Sequence, residues 1–396
     1  MKNLANRLNK ISLVVSDLST TGANRWGGAV RPFLLGQALQ NLGYNVEILG
    51  LAFSDFSPSN TDIPLIAIPC QPNAGFGKAI KQLLSKIDGD LIYAVKPKPS
   101  SFGIALIKKL LTKRPLLLDI DDWELSWYGG DQWRYRPSLP QLARDLLKKN
   151  GALRYLDHPV YLQWLEKLVN YADGITTHND FLQSRFGGIY IPNGKDTQLF
   201  NPELYDCATS KAKYGLSDLK ILMFPGAPRP YKGVEDVLIA LDYLNREDLR
   251  LVIVGGSPYD DYDQQLLKNW GRWLIKLPKS SYQFMPEIVA AADIIVVPQR
   301  DTPAACAQFP LKLTDGMAMA KPVLATRVGD IPKVIADTGY LVSPDDPQEI
   351  ATTITDILAN PQQAQAKGWR ARQRCLQEYS IEKMSAILAP IINAYF

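Results

Sequence analysis

DTPAACAQFPLKLTDGMAMAKPVLATRVGDIPKV, residues Asp301 to Val334, is the stretch whose reading decides the fold. It opens as a polar loop and then reads as a helix begun by Pro310, which has no N–H to lose at a first helical position and whose φ is already right. The helix carries Leu311, Lys312 and Asp315 and is expected to stop near Lys321-Pro322, because a residue before proline is pushed out of the α region. The apolar run Val323 to Val328 then reads as a buried strand. A loop that leads into a helix N-terminus offers N–H groups and partial positive charge to an anion. Asp315, one turn in, can accept from a pair of hydroxyls. A diphosphate joined to a ribose fits that arrangement, and an ordinary loop–helix–strand unit of an α/β sheet, with Met317 and Met319 simply packing, fits it too.

Composition sets the bounds. A chain of 396 residues is too long for one ordinary core and suits two α/β domains. Its 46% hydrophobic and 21% charged residues are those of a globular protein, and no stretch reads as disordered. No apolar run reaches the roughly 18 residues of a membrane span. The basic N-terminus lacks the cleavage site of a leader, so a cytoplasmic protein is expected. The four cysteines, Cys70, Cys207, Cys306 and Cys375, have no C-x-x-C spacing, and only two histidines are present, so no metal site is indicated. A net charge of +4 is too mild to argue for nucleic acid.

Outward from the opening stretch, strands alternate with helices. Ile11 to Val15 reads as a first strand, followed by a polar loop, Gly27-Gly28, a helix from Ala29 to Gly43, and a strand at Val46 to Leu51. The two glycines let backbone approach a phosphate or an acceptor. Arg25 and Arg31 beside them either meet an anionic group or are solvated. Further strands are expected at Leu65 to Ile68, Leu91 to Val95, Leu116 to Ile120, Ile221 to Phe224, Leu251 to Val254 and Ile294 to Pro298, all implying parallel sheets. Between Lys78 and Arg114 nine basic residues face two acids, Asp88 and Asp90. Lys108 and Lys109 lie on a helix with Ile104, Leu106, Ile107, Leu110 and Leu111, so that face is either solvated or set against anionic lipid or an acidic acceptor. Asp119, Asp121, Asp122 and Glu124 fall where a buried strand leaves the sheet at its carboxyl end, the edge where open α/β sheets bind ligands. Trp123, Trp127, Trp133 and Trp164, half of the eight tryptophans, follow and read as an acceptor-selecting element or as core.

The segment Asp315-Gly-Met-Ala-Met-Ala-Lys-Pro-Val323 resembles the Glu-Ala-Met-Ala-x-Gly-x-Pro-Val segment of retaining family 4 glycosyltransferases with the GT-B fold, and Pro310 to Leu313 is similar to a Pro-Leu-Lys-Leu stretch in some branches. Pro192-Asn193-Gly194-Lys195-Asp196 through Phe200 and Pro202 is similar to a second family motif, read as a tight Asn-Gly turn leading out of the first domain. Pro225 to Gly233 resembles the family's Gly-Arg-x-x-x-x-Lys-Gly loop, with Gly226, Lys232 and Gly233 matching, Ala227 in place of the arginine, and Arg229 two residues on. Where the family carries the first acid of a Glu-x7-Glu pair, this chain has Ala307, so Gln308 or backbone from Phe309 through Pro310 to Leu311 is left to contact the transferred sugar.

The resemblance implies a GT-B fold of two Rossmann-like domains facing across a cleft. An acceptor-binding domain would span 1–202 and a nucleotide-sugar-binding domain 203–380, with a linker around Glu203 to Asp218 and the final helix, 381–396, packing back on the first domain. It implies a retaining, metal-independent hexosyltransferase with no cofactor, using a nucleotide-diphosphate sugar as co-substrate. Arg229, Lys232 and Asp121, which stands at a family histidine position, become the catalytic candidates. Gly27, Gly28, Gly226, Gln308, Phe309, Pro310, Leu311, Lys312 and Asp315 become the donor-binding ones, with Ile275 to Tyr282 at the base. The acceptor is expected to be a small molecule, a glycan or a lipid-linked group, with peripheral contact to anionic membrane through 78–114. The missing acid at Ala307 keeps open a nucleotide-sugar-binding protein without transferase activity.

Overall fold

The computed structural model describes residues 9–19, 30–56, 62–71, 76–148, 150–257 and 260–396. They divide into two compact units, one formed by the chain up to Pro192 together with Met384–Phe396, the other by Asn193–Lys383.

The first unit is built on a parallel sheet of β1 (Lys10–Val15), β2 (Asn45–Ala52), β3 (Leu65–Pro69), β4 (Leu91–Val95), β5 (Leu116–Ile120), β6 (Gly174–Thr177) and β7 (Ile189–Tyr190), in the order 3-2-1-4-5-6-7 among the described residues. β4 and β5 are buried at every residue because helices cover both faces, which is why their sequences are continuous apolar runs rather than alternating ones. Helix Val30–Asn41 ends before Gly43, whose φ of +86° suits glycine at a helix exit. Residues from Met384 onward are anchored in this unit: Ser385 Oγ donates to the Ala38 carbonyl (3.0 Å), Tyr44 OH to Asn393 (2.7 Å), and Tyr395 OH to the Asp173 carbonyl (3.0 Å).

The second unit repeats the plan with β8 (Lys220–Phe224), β9 (Leu249–Val254), β10 (Leu274–Leu277), β11 (Ile294–Val297), β12 (Val323–Thr326) and β13 (Tyr340–Val342). All pair in parallel, in the order 10-9-8-11-12-13. Each sheet therefore starts at its centre, runs outward to one edge and then crosses to the other side, the doubly wound plan that places ligands beyond the strands' carboxyl ends at the reversal.

Three local expectations are corrected. Pro310 is the cap before the helix, not its first residue: the helix runs Leu311–Ala318, and Ala320, at φ +52°, ends it ahead of Lys321. Asn193-Gly194 is extended rather than turned, because it lies along Tyr379 to Ile381, where Lys195 N–H donates to the Tyr379 carbonyl (2.7 Å) and Ile381 N–H donates to the Lys195 carbonyl (3.0 Å). A Cβ on Gly194 would sit 3.0 Å from the Ile381 Cα, so the glycine serves close approach. The turn follows instead at Gln198 and Leu199, whose N–H groups Asp196 accepts. The stretch Glu203 to Asp218 is no linker. It holds helix Cys207–Lys213, started by Asp206 accepting from Thr209 N–H (2.7 Å), and it buries Leu216 in the second unit's core.

Candidate active site

In the second unit the loop after β8 and the start of helix Leu311–Ala318 bring three cations together. Gly226 (φ +143°) and Gly233 (φ +65°) shape the loop, and a Cβ on Gly233 would lie 1.8 Å from the Pro298 carbonyl oxygen, so only glycine fits there. Lys232 Nζ donates to the Ala227 carbonyl (3.1 Å), and Arg229 pairs with Asp260 (3.1 Å). Burial first, then the neighbouring Lys312 and Arg229 charges, push the Lys232 pKa well below the lysine range. Lys312, buried with its ammonium 4.4 Å from the Phe224 ring centroid, is lowered to about 8 by burial, with Asp315 opposing. Burial lowers both lysines and Lys232 is further depressed by its two cationic neighbours, an arrangement chemically suited to an anion, since a bound diphosphate would relieve both the crowding and the lost hydration.

Gln308 reaches Tyr231 in the same loop, with its amide nitrogen 3.3 Å from the phenol oxygen. Phe309 and Pro310 are buried behind it, Leu311 is partly exposed at the helix start, and Ala307 is fully buried, leaving no carboxylate at the family's first acid position. Asp315 is buried and ion-paired to Lys195. Burial works against the Lys195 charge, but Asp315 outweighs it and the lysine pKa rises. The ammonium also stands 4.2 Å from the Phe200 ring centroid. Arg372 steadies this arrangement by donating to the carbonyls of Ala318, at the helix end, and Phe200.

In the first unit the acids after β5 divide into two sets. Asp119 is consumed inside: Arg31 donates to both of its oxygens (3.0 and 2.9 Å) and Thr176 to one (2.7 Å). This corrects both readings of Arg31, which is buried against Asp119 rather than solvated or offered to a ligand. The second set surrounds Lys96, whose backbone takes a φ of +71° as β4 ends. Its Nζ lies 2.7 Å from Glu124, 3.7 Å from Asp122 and 3.9 Å from Asp121, and Lys98 adds a 3.0 Å bond to Glu124. Asp121 Oδ1 and Asp122 Oδ1 are buried with no hydrogen-bond partner. Burial raises Asp121 to about 7 and Asp122 to about 6, against the opposing pull of Lys96. Trp127, 44% exposed, donates to Asp122 (3.3 Å), whereas Trp123 is buried under the Arg185 guanidinium, so the tryptophans serve both roles. Gly27, Gly28 and Arg25 lie outside the described residues.

Two residues of these clusters, Lys195 and Lys96, were not singled out by the sequence reading. Lys195 was in plain view inside the Pro192–Pro202 motif, but only a fold that brings the segment to helix Leu311–Ala318 makes it Asp315's partner. Lys96 and Glu124 were visible as charges at the carboxyl ends of two neighbouring strands. That they pair follows from β4 lying beside β5.

Two doubly wound units, one with clustered cations and a carboxylate at its carboxyl edge, define the GT-B class of nucleotide-sugar protein. The glycosyl transferases group 1 family matches residues 219–360. The chain is 29% identical over 305 residues to a GDP-mannose-dependent alpha-(1-6)-phosphatidylinositol monomannoside mannosyltransferase of Mycolicibacterium smegmatis, covering 70% of this chain and 78% of that one. It is 24% identical over 388 residues to the N-acetyl-alpha-D-glucosaminyl L-malate synthase of Bacillus anthracis, covering 97% and 88%. Its fold matches Anabaena Alr3699/HepE in complex with UDP-glucose at a TM-score of 0.72 and 17% identity over 98% and 100% of the two chains. Sucrose-phosphate synthase from Thermosynechococcus elongatus matches at 0.70 and 18% identity over 98% of each. The chain is a glycosyltransferase of the GT-B fold with a group 1 domain.

Proposed function

We propose that the chain moves a hexose from a nucleoside diphosphate sugar to a hydroxyl acceptor, with retention of anomeric configuration and with no metal ion or other cofactor. The observation that carries this reading is the crowding of Arg229, Lys232 and Lys312, two of which have depressed pKa values. In the reaction the bond from the sugar C1 to the β-phosphate oxygen breaks and negative charge grows on that oxygen. Cations fixed there in advance stabilise the charge more in the transition state than in the bound substrate. The departing phosphate oxygen takes the acceptor's proton as the acceptor attacks C1 from the same face. Asp315, steadied by Lys195, accepts from the ribose hydroxyls. Gly226 lets the loop backbone approach the phosphates, while Gln308 and the backbone of Phe309, Pro310 and Leu311 meet the sugar where Ala307 offers no acid. Gly27 and Gly28 are assigned to the donor by resemblance alone.

On the acceptor side, Asp121 binds a sugar hydroxyl or steadies positive charge at C1, and Trp127 offers an aromatic face beside it. The acceptor is a small molecule, a glycan or a lipid-linked group, met in the cytoplasm with peripheral contact to the membrane. Metal independence is supported by Asp119 being held by Arg31 and Thr176. A thermal-shift screen of UDP- and GDP-hexoses, followed by transfer assays with EDTA present and NMR of the product anomer, tests the reading. A stabilising donor, turnover unchanged by EDTA and a retained anomer are expected. No shift with any nucleotide, an inverted product or abolition of turnover by EDTA would overturn it.

A further inference from the structure

Helix Ile104–Thr112 buries only Ile104 and Ala105 and leaves Ile107, Leu110 and Leu111 43%, 69% and 70% exposed. Spacings of three and four place the three on one stripe. Lys108 and Lys109, which flank that stripe in sequence, do not form a free basic face. Lys108 Nζ donates to the Leu84 carbonyl (2.8 Å) and so ties this helix to helix Phe76–Lys86, while Lys109 Nζ donates to the Tyr171 carbonyl (2.8 Å) and pairs with Asp173 (2.7 Å). The outermost groups here are therefore apolar.

Around them stand exposed Lys81, Lys86 and Lys113 and partly exposed Arg114. The nearby acids are already engaged by Lys10, Asp88 through the ammonium and Asp90 through the backbone N–H (3.0 Å). Scattered exposed leucines are normal on a soluble surface, but a contiguous stripe flanked by exposed lysines is the pattern of an interfacial helix, whose apolar side enters the headgroup boundary while its lysines meet anionic lipid. No helix among the described residues is long and apolar enough to cross a membrane.

We propose that Ile107, Leu110 and Leu111, flanked by exposed Lys86 and Lys113, seat the first unit on the surface of an anionic phospholipid bilayer. The inference deepens the reading of peripheral membrane contact given above and locates that contact on apolar side chains rather than on Lys108 and Lys109.

The test is sedimentation of the full chain with vesicles of phosphatidylcholine alone or with about one-third phosphatidylglycerol. Binding to the anionic vesicles that falls with salt is expected, about tenfold weaker in Leu110→Glu/Leu111→Glu and weakened in its salt-sensitive part in Lys86→Glu/Lys113→Glu. Stabilisation by UDP or GDP should be unchanged in these variants, which shows them folded with the donor site intact. Should no nucleotide stabilise any form while vesicle binding persists and responds as stated, the transferase reading fails and the docking face stands. Equal binding of wild type and the double glutamate variant would overturn the inference, as would no binding to anionic vesicles, or a dimer that this variant converts to monomer.

Discussion

Lys232→Ala separates a catalytic role from a structural one, because the two predict opposite effects. Lys232 is partly buried, its ammonium donates to the Ala227 carbonyl at 3.1 Å, and its charged neighbours Lys312 and Arg229 carry the same sign. Removing it from the empty protein deletes a like-charge repulsion and one modest hydrogen bond, worth about 1 kcal/mol, so apparent stability should change by no more than about that amount in either direction. With donor bound the account reverses. The ammonium then faces the diphosphate, and losing a preorganised charged donor at a centre of growing negative charge costs about 2.7–4 kcal/mol, or roughly 10²–10³ in kcat. The assay is nucleotide release under steady state, with urea unfolding of the empty protein as control and Lys232→Met as a variant that keeps the stem. Turnover within about threefold of wild type would refute the assignment, as would a loss of apo stability above about 3 kcal/mol, the scale of a buried structural charge.

Other outcomes follow from the same geometry. Asp315→Ala leaves Lys195 as a buried unpaired cation and should destabilise the second unit by about 3–5 kcal/mol in urea unfolding, whereas Lys195→Met combined with Asp315→Leu should recover most of that stability but not donor affinity. Recovery of affinity in the pair would count against a ribose role. The raised Asp121 pKa of about 7 means its carboxylate forms as pH climbs from 6 to 8, with Lys96 and Arg31 favouring and Asp119 and Asp122 opposing ionisation. kcat/KM should therefore rise with pH across that window, and Asp121→Asn should lose about 10²-fold and the acid limb with it. An unchanged profile removes Asp121 from the chemistry. Lys312 titrates near 8 in the empty protein, and a bound diphosphate moves it back up, so binding takes up a proton between those values. Affinity should fall as pH rises through about 8, and calorimetry at about pH 8.5 in buffers of different ionisation enthalpy should show proton uptake that Lys312→Met reduces.

The sequence by itself determined the alternation of buried strands and helices, because a parallel strand covered on both faces must be apolar throughout and short runs such as Leu91–Val95 and Leu116–Ile120 have no other use. It also marked the loops that are built around glycine. Glycines that must adopt positive φ or admit a neighbour, as Gly233 does against Pro298, leave a signature that substitution cannot blur. Partnerships were decided only in three dimensions. Nothing in the spacing of Arg31 and Asp119, or of Lys195 and Asp315, 120 residues apart, says that a charge will be spent on an internal ion pair rather than offered to a ligand. That outcome depends on which strand lies beside which and on how far each group is removed from water. The same desolvation separates Asp119, consumed by Arg31, from Asp121 two residues on, which is buried with an oxygen unpartnered. Pattern is local and survives in the sequence, whereas burial and pairing belong to the packed chain.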